Sequence, residues 1–135
     1  MDGDKKVVLF VDDNKDFLTL AEEELESEEY ELRTLLVPTD TAGFVDKIAE
    51  MRPDLIFLDV MFSKKFSNAM ATEIRKQPPL AEVPVYLMSF LDIAEIALIA
   101  NKKEVNGCFQ KPIKRADIAM LFKKHFGLTI TVEED

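Results

Sequence analysis

The stretch that most constrains the fold is Asp54-Leu55-Ile56-Phe57-Leu58-Asp59, a short apolar run that ends in a charge. Four consecutive apolar residues fit a strand covered on both faces, as in parallel sheets flanked by helices. Asp59 then emerges at the carboxyl end of that strand, on the rim where open α/β sheets bind ligands.

The same pattern recurs along the chain. Val7-Val8-Leu9-Phe10-Val11 stops at Asp12-Asp13-Asn14, Val83 to Met88 stops at Ser89, and Cys108-Phe109-Gln110 stops at Lys111-Pro112. A further strand is expected within Tyr30 to Val37, broken by Pro38-Thr39-Asp40, which also supplies a helix cap. Between the strands, apolar residues recur at helical spacing. Phe17, Leu18, Ala21 and Leu25 mark the first helix, with Glu22, Glu23, Glu24 and Glu26 as its solvated face. Phe44, Ile48 and Met51, joined by Val45 and Ala49, mark the second, which Arg52-Pro53 ends. Val60 to Ser67 reads as a loop without Gly or Pro, followed by a helix over Asn68 to Lys76 and a stop at Gln77-Pro78-Pro79. Leu91 to Lys102 reads as a mostly apolar helix. The last helix, Lys114 to Phe126, places Ile118, Leu121, Phe122 and Phe126 inward and stops at Gly127. Leu128 to Val132 alternates like a strand and is equally compatible with the start of a linker.

Five strands alternating with five helices predict a single-domain α/β fold: a doubly wound parallel sheet, flavodoxin-like (βα)5, with strand order 2-1-3-4-5. A chain of 135 residues with 47% hydrophobic composition suits one such domain. The formal charge of −9 argues against direct nucleic-acid binding or an anionic membrane surface, both of which call for clustered Lys and Arg. Met1 to Lys6 leads into an apolar run that Asp12 interrupts at once, so neither a signal peptide nor a membrane span is expected. The single cysteine, Cys108, closes no intrachain disulfide, which fits a cytoplasmic protein.

That topology brings Asp12, Asp13, Asp59, Ser89 and Lys111 to one edge. Three neighbouring carboxylates repel one another unless a proton or cation intervenes, and an oxygen-rich site of this kind suits Mg2+. A phosphoryl group on Asp59 would add acceptor oxygens that a metal, an ammonium and a hydroxyl could share.

Val11-Asp12-Asp13-Asn14, Leu58-Asp59-Val60, Met88-Ser89 and Lys111-Pro112 together resemble the receiver domain of two-component response regulators. The resemblance implies a receiver domain over residues 1–127, with 128–135 as a tail or the start of a linker. It implies that Asp59 is the phosphoacceptor, fed by a sensor histidine kinase or phosphotransfer protein. Asp12, Asp13, Asp59 and the backbone carbonyl of Met61 are then the Mg2+ ligands. Lys111 is expected to pair with Asp59 and its phosphate, Ser89 to act as the switch hydroxyl, and Lys111-Pro112 to be cis. The output is expected to be binding to a partner or effector domain through the face formed by the fourth helix, fifth strand and fifth helix, rather than catalysis on an external substrate.

The chain departs from the family pattern near the site. The loop after Asp59 lacks the usual Pro and Gly, Phe90 stands where a small residue usually follows the switch hydroxyl, and Cys108 holds the usual place of the switch aromatic, with Phe109 next to it. Phe90, Cys108 and Phe109 are therefore expected to modulate the site. The alternative these departures suggest is a pseudo-receiver used for constitutive protein interaction. A Mg2+ aspartyl phosphohydrolase is disfavoured because Met61 stands where those enzymes place a second Asp, and a flavin carrier because the first loop presents carboxylates. Taken singly, the residues have plainer readings. Asp12 and Asp13 could cap a helix, and Ser89 could be a turn residue. Lys64 and Lys65 read as solvated, His125 as complementing a helix dipole, and Cys108 as a buried small hydrophobe.

Overall fold

The computed structural model describes residues 5–62, 65–66, 68–92, 94–96 and 104–132. Five parallel strands form one sheet: β1 (Val7–Asp12), β2 (Glu31–Leu36), β3 (Leu55–Asp59), β4 (Val85–Ser89) and β5 (Gly107–Gln110). Their order is β2-β1-β3-β4-β5, the expected 2-1-3-4-5. Helices α1 (Lys15–Leu25), α2 (Phe44–Glu50), α3 (Asn68–Lys76) and α4 (Arg115–Phe126) connect or follow them. Residues 94–96 are helical. The remainder of the helix expected over Leu91 to Lys102 lies largely outside the described residues.

The central strands are continuous apolar runs because both of their faces are covered, yet alternate side chains enter different cores. Leu9, Val11, Ile56, Leu58, Val85 and Leu87 pack with Phe44 and Ile48 of α2 and Ala71 and Ile74 of α3. Val8, Phe10, Leu55, Phe57, Tyr86 and Met88 pack with Phe17, Leu18, Ala21 and Leu25 of α1 and Ile118, Leu121 and Phe122 of α4. Across β1 and β3, Phe10 and Phe57 stack with ring centroids 4.7 Å apart. This interlocking sets the register Val11↔Leu58, so a one-residue slip would send each apolar set to the wrong face.

Several polar contacts hold the element ends. The Asn14 side chain caps α1 by accepting from the Phe17 amide at 3.0 Å. Asp54 accepts from the Val7 amide at 2.7 Å and so ties the start of β3 to the start of β1. The Arg75 guanidinium donates to the carbonyls of Glu104 and Leu80 and to the Asn106 side chain, joining α3 to the approaches of β4 and β5. Gly127 takes the left-handed conformation, φ 66°, that ends α4.

Three expectations are corrected. Asp40 does not cap the second helix: its carboxylate accepts from the Ala42 amide in a tight turn, and α2 starts at Phe44 behind Gly43, whose φ is 75°. The segment after Asp59 is not wholly loop, because Met61–Phe62 and Lys65–Phe66 pair antiparallel. Ser63, Lys64 and Ser67 lie outside the described residues. Of the two readings left open for Leu128 to Val132, the strand is not formed; Ile130 packs against the α1/α4 core and the Thr131 amide donates to the Glu29 carboxylate. His125 does more than face a helix terminus: its Nε2 lies 2.6 Å from the Tyr86 hydroxyl. Burial and the neighbouring Lys124 charge lower its pKa, which favours the neutral ring.

Candidate functional site

The parallel register delivers the polar residues to one edge. Val11 lies opposite Leu58, so Asp12 and Asp59 leave adjacent strands side by side. Asp59 in turn lies opposite Met88 and Ser89 opposite Gln110. The next backbone amide, that of Lys111, donates to the Ser89 carbonyl at 2.7 Å, and the Lys111-Pro112 bond that follows is cis.

Lys111 turns back into this cluster. Its Nζ lies 2.6 Å from Asp12 Oδ2 and 3.1 Å from Asp59 Oδ1. All three groups are buried, Asp12 completely. The other Asp12 oxygen accepts from the Asn14 amide at 2.9 Å, so the residue that sits in the cluster also shapes the turn into α1. Asp13 is exposed, yet it offers an oxygen that lies within 4.8 Å of oxygens from Asp12 and Asp59.

One ammonium does not balance three carboxylates. Burial pushes the Asp59 carboxyl up to about 6; the Lys111 charge and hydrogen bond oppose this, while the Asp12 and Asp13 charges add to it. A group so poised gains from an added cation. The donor set fits a hard divalent ion, since it offers carboxylate oxygens at the mouth of the sheet, partly open to water through Asp13.

The remaining expected residues surround this centre. Ser89 is buried at the edge, and its hydroxyl accepts from the Leu91 amide at 3.1 Å. Phe90 is 65% exposed and meets the Phe17 ring edge to face. Cys108 packs against the α2/α3 core, partly buried rather than buried, and burial raises its thiol pKa, which disfavours a reactive thiolate. Phe109 points to the opposite core, against Phe57 and Tyr86. The strand period therefore separates these neighbours onto different faces. Met61 belongs to the small hairpin that immediately follows the site.

Sequence reasoning missed the second role of Phe17. Its helical spacing marks it as core, and it is, but its ring centroid also lies 4.3 Å from Lys111 Nζ. Nothing in the spacing of α1 points to a cation contributed from the far end of the chain.

Comparison with known proteins follows the same lines. Residues 8–123 match the family model described as the response regulator receiver domain. Over 119 residues the chain is 31% identical to the nitrogen assimilation regulatory protein NtrX of Azorhizobium caulinodans, covering 87% of this chain and 25% of that protein. The solved NtrX of Brucella abortus superposes with a TM-score of 0.69 at 27% identity, covering 91% of this chain and 27% of that one. The chain thus spans about a quarter of these two relatives. Chemotaxis protein CheY4 of Vibrio cholerae shares the fold, with a TM-score of 0.72 at 19% identity over 90% of this chain and 99% of that one.

Proposed function

Because the chain belongs to the response regulator receiver domain family, we propose that Asp59 accepts a phosphoryl group from the phosphohistidine of a sensor kinase or phosphotransfer protein. The observation that carries this reading is the buried Lys111 ammonium, within 2.6 Å of Asp12 and 3.1 Å of Asp59, beside a third carboxylate. Asp12, Asp13, Asp59 and the Met61 carbonyl would hold Mg2+, which when bound offsets the charge that gathers on phosphoryl oxygens.

The residues of the chain do the rest. Asp59 presents an oxygen at the mouth of the sheet, and Lys111 supplies a fixed positive charge beside it. Ser89 can release the Leu91 amide and turn its hydroxyl toward a phosphate oxygen, while its carbonyl stays tied to Lys111. Phosphate would then favour one of two arrangements of the segment after β4, and the altered surface would be read by a partner or a linked effector domain. The chain is read as a switch of the cytoplasm with no external substrate. Its receiver unit would run over residues 1–127, with 128–135 as a tail or linker.

Treating the protein with acetyl phosphate or beryllofluoride and Mg2+ tests this directly. A mass gain that maps to Asp59, absent in Asp59→Asn, is the expected result. No gain and no magnesium-dependent spectral change would leave the constitutive interaction module as the better reading.

A further inference from the structure

Lys111 has two kinds of partner. Two are the carboxylates of Asp12 and Asp59. The others are rings: the Phe17 centroid lies 4.3 Å and the Phe90 centroid 5.2 Å from its ammonium, both within the range of about 6 Å over which a cation is attracted to a ring face. The two rings also touch each other, with centroids 6.2 Å apart and planes at 82°. They arrive from separate elements, Phe17 from the first turn of α1 and Phe90 from the residue after β4.

An ammonium on a four-carbon stem is a point charge without a directional fork, so two carboxylates alone leave it free to drift between them. Ring faces remove that freedom. Phe90 is 65% exposed and so gains little from core burial, which leaves its ring contacts as what engages it.

We propose that Phe17 and Phe90 are positioning residues whose rings clamp the Lys111 ammonium at Asp12 and Asp59, so that its charge is already placed when Asp59 is loaded. The consequence for loading rests on the reading of Asp59 as acceptor; the clamp itself does not. In loading from acetyl phosphate, an Asp59 carboxylate oxygen forms the new bond to phosphorus. The bond from phosphorus to the acetyl oxygen breaks, and acetate leaves with that electron pair. Lys111 acts on the charge spread over the phosphoryl oxygens meanwhile.

Phe17→Leu and Phe90→Leu remove a ring face and keep apolar bulk, whereas Phe17→Tyr and Phe90→Tyr keep the face. In spectra of the unphosphorylated full chain, the Lys111 Hε protons are expected upfield of ordinary lysine, from ring currents. Each Leu variant should return them toward the ordinary position and slow Mg2+-dependent loading about two- to fivefold, the equivalent of one cation–π contact at a partly exposed site. Each Tyr variant should restore both. Lys111 signals unmoved in the Leu variants, or loading as fast as in the parent protein, overturn the clamp. The Phe90 pair keeps the test open if Phe17→Leu unfolds. A protein that never loads fails the acceptor reading instead, because the spectra are taken without phosphate.

Discussion

At Asp59, burial and charge act against each other. The carboxyl titrates near 6, well above the value of about 4 in an unfolded chain. Below about pH 4 both states hold the proton and Asp59 is neutral in its effect. Between about pH 4 and 6 the native state keeps a proton that the unfolded state releases, so stability falls as pH rises, and the full cost stands above that window. Asp59→Asn should therefore stabilise the metal-free protein by up to about 2 kcal/mol at pH 7.5, with the gain vanishing near pH 4. Urea denaturation of both forms at the two pH values measures this; an equal gain at both would refute it. Lys111→Met acts in the other direction. It strands the buried Asp12 and Asp59 carboxylates and should cost about 3–5 kcal/mol at neutral pH, a loss that shrinks in acid as Asp59 takes up its proton.

At the scale of elements, the site depends on strands that bring polar ends together from a two-faced core. Phe57 contributes a fully buried ring to β3, stacked on Phe10 and flanked by Tyr86 and Phe109. Phe57→Ala should cost about 3–5 kcal/mol in chemical denaturation, because the three remaining rings cannot collapse into the space left behind. Arg75 is the comparable device among polar residues. Its planar fork reaches two separate segments, so Arg75→Lys should lose about 1–3 kcal/mol even though the charge is kept, and amide exchange should rise around Asn106 and Val85. The elements themselves are largely legible in the sequence. The inward stripe Phe17, Leu18, Ala21 and Leu25 is buried as the spacing requires, and the third helix begins and ends at the expected residues. Less legible are features made by backbone pairing alone, such as the Met61–Phe62 hairpin, and turns that use a carboxylate locally, such as Asp40.

For the whole molecule, with a formal charge of −9 and three clustered carboxylates, the proposed Mg2+ site carries its own stability prediction. At a Mg2+ concentration about a hundredfold above its dissociation constant, stability should rise by about 2–3 kcal/mol, seen as several degrees in thermal unfolding. Sodium chloride at matched ionic strength should not reproduce this, and Asp12→Asn should abolish most of it. Among the described residues no helix is long and apolar enough to cross a membrane. The sequence by itself determined the alternation of strands and helices, the sheet order and the polar residues at the carboxyl edge. It could do so because apolar runs and helical spacing act locally, and because parallel strands must align their ends. Tertiary structure decided what those residues do to one another. Lys111 lies closer to Asp12 than to Asp59, Phe17 turns from a core residue into a ring beside the ammonium, and Phe109 and Cys108 part to opposite faces. Each of these rests on distances between segments far apart in the chain, and a charge or ring responds to its neighbours in space, whatever their separation in sequence.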